Sequence, residues 1–252
     1  MNNGSLYTHI QNNIATVEFY HPASNSFPSE LLKRLATTFN ELSLNDDVRV
    51  IVLKSEKEKT FCAGASFDEL IAIKNNEEGK HFFMGFANVI NAMRTCSKLI
   101  IGRVQGKAVG GGVGLAAACD YCFATEQASI KLSELTIGIG PFVIAPIVER
   151  KIGIAALSEL TLDATSWKNA YWAKEKGLFA KVFESINELD AEVQNLSLKL
   201  TSYNPKALYE MKKVLWEGTE NWGHLLEERA KTSGALVLSE FTKTALQKFK
   251  KQ

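Results

Sequence analysis

Three short stretches of this 252-residue chain carry glycine, other small residues or a lone carboxylate where a packed core would take bulk. In Phe61-Cys62-Ala63-Gly64-Ala65-Ser66 the chain is expected to pass from a strand into a helix, leaving backbone N–H groups free for a ligand. Val109-Gly110-Gly111-Gly112-Val113-Gly114 has the same setting, and its missing side chains let a ligand reach the backbone at the positive end of a short helix. Two such turns could hold one oxygen between them. The third stretch, Lys131-Leu132-Ser133-Glu134-Leu135, places one carboxylate among apolar residues, where burial would raise its pKa and fit it for proton transfer. Taken singly, a glycine triplet also serves close packing and a lone glutamate also serves as a cap.

The elements that must position these stretches follow from periodicity. Leu6–Gln11 and Ile14–Phe19 are β-rich runs joined by Asn12-Asn13, a pair that tolerates the left-handed geometry of a hairpin. Pro28 opens a helix with Leu31, Leu32, Leu35, Phe39 and Leu42 on one face, and Val48–Leu53 follows as a buried strand. A loop at Thr60–Ser66 leads to helices over Phe67–Ile73 and Glu77–Arg94, then to a strand over Leu99–Gln105. Val113–Cys119 is predicted as a short buried helix and Asp120–Thr125 as a strand. From about residue 141 the pattern is helical throughout, and Trp216, Trp222, Leu225, Leu226, Leu236, Val237, Leu238 and Phe241 would need cover from the body or from another subunit.

With 29 Lys and Arg against 28 Asp and Glu the net charge is +1, which gives no basic field for nucleic acid. Residues Met1–Gln11 lack the charge and apolar run of a signal peptide, and no apolar stretch reaches the roughly 20 residues of a membrane span. A cytoplasmic protein is expected. Cys119 and Cys122 form a C-x-x-C, but no second pair completes a zinc site, and on a strand two positions three apart face opposite sides. Structural thiols and no metal are the expectation.

Taken together and in this order, the motifs resemble the crotonase superfamily, the enoyl-CoA hydratase/isomerase family. The resemblance rests on Phe61-Cys62-Ala63-Gly64-Ala65, on Val104 to Gly112, on Leu115 to Asp120, and on Glu134 with Gly138 and Pro141. His21-Pro22 with Asn25-Ser26 and the stretch Ala170–Val182 extend it over nearly the full length. It implies an α/β fold, a crotonase-like spiral of repeated β-β-α units (residues 1–200) with a helical C-terminal part (201–252) that packs into homotrimers or hexamers. It implies acyl-CoA thioesters as substrates and no cofactor, coenzyme A being part of the substrate. By position, the N–H groups of Ala65 and Gly111 would hold the thioester oxygen and stabilise an enolate. Glu134 would move the proton, and Ala63, Gly64, Ser66, Phe67, Asp68, Gly110, Gly114, Pro141 and Phe142 would line the substrate site.

Two departures from the family pattern bear on the reaction. Hydratases of the family carry a first glutamate where this chain has Gly114, so Glu134 is left as a single base, which favours moving a double bond over adding water. Phe142 puts a ring where the family has small residues. Decarboxylation, thioester hydrolysis and non-catalytic acyl-CoA binding stay open at this point. His81 and His224 lack activating partners in sequence, Glu69 reads as a helix-terminal acid, and no phosphate contact can be assigned among Lys54, Lys57, Lys248, Lys250 and Lys251.

Overall fold

Asn12 and Asn13 both adopt left-handed backbone angles, φ 53° and 60°, and turn β1 (Ser5–Gln11) antiparallel onto β2 (Ile14–Tyr20). The computed structural model describes residues 4–57 and 59–249; Lys250 and Lys251 lie outside them. Pro28 directly precedes α1 (Ser29–Leu44), whose face of Leu31, Leu32, Leu35, Phe39 and Leu42 is buried, and the chain returns as β3 (Val50–Ser55), parallel to β2.

From β3 onward the chain repeats one unit, a strand in a large sheet, a short strand in a small sheet, then a helix. The first repeat adds β4 (Thr60–Cys62), α2 (Phe67–Ala72) and α3 (Asn76–Thr95). The second consists of β5 (Leu99–Val104), β6 (Lys107–Val109) and α4 (Gly111–Ala118). The third runs through β7 (Tyr121–Thr125), β8 (Ser129–Lys131), a 3-10 turn at Glu134–Ile137 and α5 (Ala145–Leu162). Then come β9 (Lys168–Asn169), α6 (Ala170–Glu175), β10 (Lys181–Phe183) and α7 (Ile186–Thr201). The large sheet has the order β1-β2-β3-β5-β7-β10 and the small one β4-β6-β8-β9. This is the β-β-α spiral that the resemblance implied.

Sequence periodicity gives only part of this. The Thr60–Ser66 loop contains β4, and the helical region after residue 141 contains β9 and β10. These strands are two or three residues long, too short to show an alternation. The helix expected at Val113 starts two residues earlier, at Gly111. Cys119 ends α4 and is not on a strand; its sulfur and that of Cys122 both converge on Gly102, where an added Cβ would meet each at 2.9 Å. The expectation that the two thiols face apart is therefore wrong. Both are free and buried, and burial holds Cys122 up to about 12.

The chain ends in α8 (Pro205–Leu215), α9 (Trp222–Leu236) and α10 (Glu240–Phe249). Much of the apolar tail finds cover on the same chain: Trp216, Trp222, Leu226 and Val237 are buried, whereas Phe241 is exposed. α9 lies against α3 where Gly79 meets Gly234 backbone to backbone, so close that a Cβ on Gly79 would stand 2.7 Å from the Gly234 carbonyl oxygen. No helix of the described residues is long and apolar enough to cross a membrane.

Candidate active site

β4, β6 and β8 are neighbours in one sheet and run parallel, so the segments that leave their C-terminal ends come together. Those segments are the three singled out from sequence. After β4 comes Ala63-Gly64-Ala65, after β6 Gly110 and Gly111, and after β8 Ser133 and Glu134. Proximity of the first two turns is direct: a Cβ on Gly64, whose φ is +88°, would lie 3.1 Å from the Val109 carbonyl oxygen and 3.5 Å from the Gly111 nitrogen. Among the described residues neither Ala65 nor Gly111 gives its N–H to an acceptor, while their neighbours do: Ser66 N–H donates to Phe27 O at 2.9 Å and Gly110 N–H to Lys131 O at 2.9 Å. Gly111 is the first residue of α4, where an N–H has no partner within the helix.

Glu134 opens the 3-10 turn and its carboxylate rests against Gly110. The carboxyl is buried and its Oε2 has no hydrogen-bond partner among the described residues. Burial pushes its pKa up to about 7, against a smaller opposing pull from its own backbone N–H. Cys62, one residue before the first turn, is held up to about 12 by burial, although Gly64 N–H donates to its sulfur at 3.3 Å, so it stays a thiol.

Ala65, Gly111 and Glu134 face a cavity of about 340 Å³. Of the residues expected to line it, Ala63, Gly64, Ala65, Phe67, Gly110, Gly111, Glu134, Pro141 and Phe142 do so. Ser66, Asp68 and Gly114 do not. Ser66 is turned to its own helix, accepting from Glu69 N–H at 3.4 Å; Asp68 points to solvent; and Gly114 is buried behind Ile144. Glu69 caps α1, taking the Ser29 N–H at 2.9 Å and its hydroxyl at 2.5 Å. His81 and His224 are exposed, and Lys54 pairs with Glu18 at 3.1 Å.

Sequence reasoning missed the opposite contributors to the wall: Phe82, Phe83 and Phe86 of α3, Ile139 and Ile144, and Ser233 of α9. Three phenylalanines within five residues of one helix were the available signal. Phe86 also sets the approach to Gly111, since a Cβ there would collide with its ring at 2.3 Å.

Residues 9–250 match the enoyl-CoA hydratase/isomerase family. The chain belongs to that family of enzymes. It is 32% identical over 200 residues to the mitochondrial methylglutaconyl-CoA hydratase of Rattus norvegicus, covering 78% of this chain and 63% of that one. It is 28% identical over 211 residues to the peroxisomal Delta(3,5)-Delta(2,4)-dienoyl-CoA isomerase of Arabidopsis thaliana, covering 78% and 74%. An enoyl-CoA hydratase structure from Bacillus halodurans superposes with a TM-score of 0.89 over 96% of this chain and 99% of that one, at 22% identity, which speaks to the crotonase fold. Relatives named for hydration and for isomerisation both occur, so family membership does not choose between the two reactions.

Proposed function

We propose that this crotonase-family enzyme shifts the double bond of an enoyl-CoA thioester, with Glu134 as its single base. The observation that carries the reading is the unpartnered, buried Glu134 carboxyl beside the Gly110–Gly111 turn, in a cavity to which the described residues bring no second carboxylate. The thioester oxygen would accept from the N–H groups of Ala65 and Gly111, which are matched to the negative charge it gains in the enolate. Glu134, as carboxylate, takes a proton from C2 of a 3-enoyl-CoA; the electrons delocalise to the thioester oxygen. The same carboxyl then returns the proton at C4, leaving the double bond between C2 and C3. No atom is gained or lost, and the acyl-CoA is the one substrate.

Hydration would need one group to deprotonate water while another manages the proton at C2. Position 114, where hydratases of the family carry their additional glutamate, is glycine and is filled from outside by Ile144. Phe142, whose ring packs over Gly140, adds apolar surface to the same wall.

The test is a panel of 3-enoyl-, 2-enoyl- and malonyl-type CoA thioesters, with products followed by mass and ultraviolet absorbance. Conversion of 3-enoyl to 2-enoyl esters without mass change is expected. A gain of water, loss of carbon dioxide or release of free coenzyme A as the dominant reaction would replace the proposal with hydration, decarboxylation or thioester hydrolysis respectively.

A further inference from the structure

Two cavity-lining side chains hold buried polar atoms with no partner among the described residues, Glu134 through Oε2 and Ser233 through Oγ. The first is the proton carrier of the proposed reaction. Ser233 has no part in that chemistry. It is 1% exposed and sits on α9, which packs on α3, the helix of Phe82 and Phe83, whereas Glu134 comes from the 3-10 turn after β8. A serine inside a helix usually settles its hydroxyl on the carbonyl four residues back, as Ser197 does on Val193 O at 2.7 Å and Ser158 on Ile154 O at 2.8 Å. Ser233 makes no such bond. The next residue, Gly234, packs directly on α3, where a Cβ would lie 2.5 Å from the Lys80 nitrogen, so this part of α9 is seated against the helix that carries Phe82 and Phe83. A buried hydroxyl that no protein group partners is free to bond a ligand oxygen.

We infer that Ser233 selects acyl chains that carry an uncharged oxygen, a hydroxyl or a carbonyl, beyond the reacting carbons. The inference rests on the acyl-CoA reading of the same cavity. A charged chain end fits poorly. The surrounding wall is aromatic and aliphatic, and the lysine that borders the cavity, Lys131, has its ammonium 5.4 Å above the Trp167 ring. A carboxylate would also be buried in the same cavity as Glu134.

The measurement is binding by calorimetry of butanoyl-, pentanoyl- and hexanoyl-CoA, their ω-hydroxy counterparts, and succinyl- and glutaryl-CoA, to the wild type and to Ser233→Ala. In wild type, at least one hydroxy ester is expected to bind about three- to tenfold tighter than its hydrocarbon partner, the worth of one neutral hydrogen bond. In Ser233→Ala that preference should vanish or reverse. Equal binding of every hydroxy and hydrocarbon pair in wild type, a preference that survives in Ser233→Ala, or tightest binding of the carboxylate esters would each overturn the inference and leave the acyl-CoA reading standing. Failure of every acyl-CoA to bind would overturn both.

Discussion

The Glu134 carboxylate and the Gly110 backbone occupy adjoining space so closely that a Cβ on Gly110 would lie 2.7 Å from Glu134 Oε1. Gly110 also has φ 53° and ψ −120°, a conformation that L side chains rarely adopt. One glycine thus satisfies two demands, releasing the Gly111 N–H from the end of β6 and leaving room for the base.

Gly110→Ala is therefore expected to fail twice. Backbone strain should cost about 1–3 kcal/mol of stability. The displaced carboxylate and the reoriented Gly111 N–H should lower kcat/KM by about 100-fold or more. Thermal melting and steady-state kinetics on one preparation separate the two effects; unchanged kinetics would detach the turn from the chemistry.

A second close relationship ties the tail to the site-bearing body. Lys212, the one buried residue of α8, donates to Asp120 Oδ2 at 2.9 Å and to Lys98 O at 2.7 Å. Asp120 lies between α4 and β7 and also accepts from Ile100 N–H and from Trp216 Nε1. Lys212→Met strands the aspartate and Asp120→Asn strands the lysine, so each should cost about 3–5 kcal/mol. The double variant should lose less than the sum of the two, which urea unfolding of all four proteins would show.

The pH dependence of Glu134 has a definite sign. Between pH 4.5, its ordinary value, and about 7 the native carboxyl keeps a proton that the unfolded chain has released. Stability contributed by this group therefore falls as pH rises through that window and levels off above it. Glu134→Gln has no such proton, so its stability advantage over wild type should open with rising pH, to the order of 3 kcal/mol. Activity runs the other way. The base must be ionised, so wild-type kcat/KM should climb through about pH 7, and Glu134→Gln should lose about 100-fold or more above that pH, the loss narrowing as pH falls below it. A stability difference that shrinks as pH rises would show that the carboxyl is not desolvated.

What could be read in advance was whatever had a local signature. The hairpin at Asn12-Asn13, the apolar face of α1 and the glycine turn before α4 each depend on residues close in sequence. The small sheet escaped because β4, β6 and β8 have three residues each and take their meaning from pairing with one another. The same holds within the cavity. Gly110, Gly111 and Glu134 stand in short motifs, whereas Phe86 and Ser233 arrive on helices whose sequence says only which face is apolar. Position 114 was misjudged for a related reason. Its closeness to Ile144, thirty residues on, is a tertiary fact, and it closes the space that a residue at 114 was expected to share with substrate.

That contact determines how the one-base proposal must be tested. Adding the family's first glutamate by Gly114→Glu should by itself fail to raise hydration, since a Cβ at 114 would stand 2.5 Å from Ile144 Cγ2 and 2.9 Å from its Cβ. The side chain would be forced off its rotamer at about 1–3 kcal/mol of stability. Ile144→Ala keeps the Cβ at 2.9 Å, so the space opens only with Ile144→Gly, tolerable at a position just before α5 with φ −92° and ψ −14°. The double variant Gly114→Glu with Ile144→Gly can then bring a second carboxylate toward the wall that Ile144 lines, and its kcat/KM for hydration of a 2-enoyl-CoA should exceed that of wild type by about 100-fold, the usual worth of one general acid or base. Wild type should turn over the 3-enoyl ester of the same chain length faster than it hydrates the 2-enoyl ester. Increased hydration by Gly114→Glu alone would mean that Ile144 yields and does not block the position. Faster hydration than isomerisation in wild type would mean that Glu134 activates water unaided, and the single-base isomerase reading would fall with it.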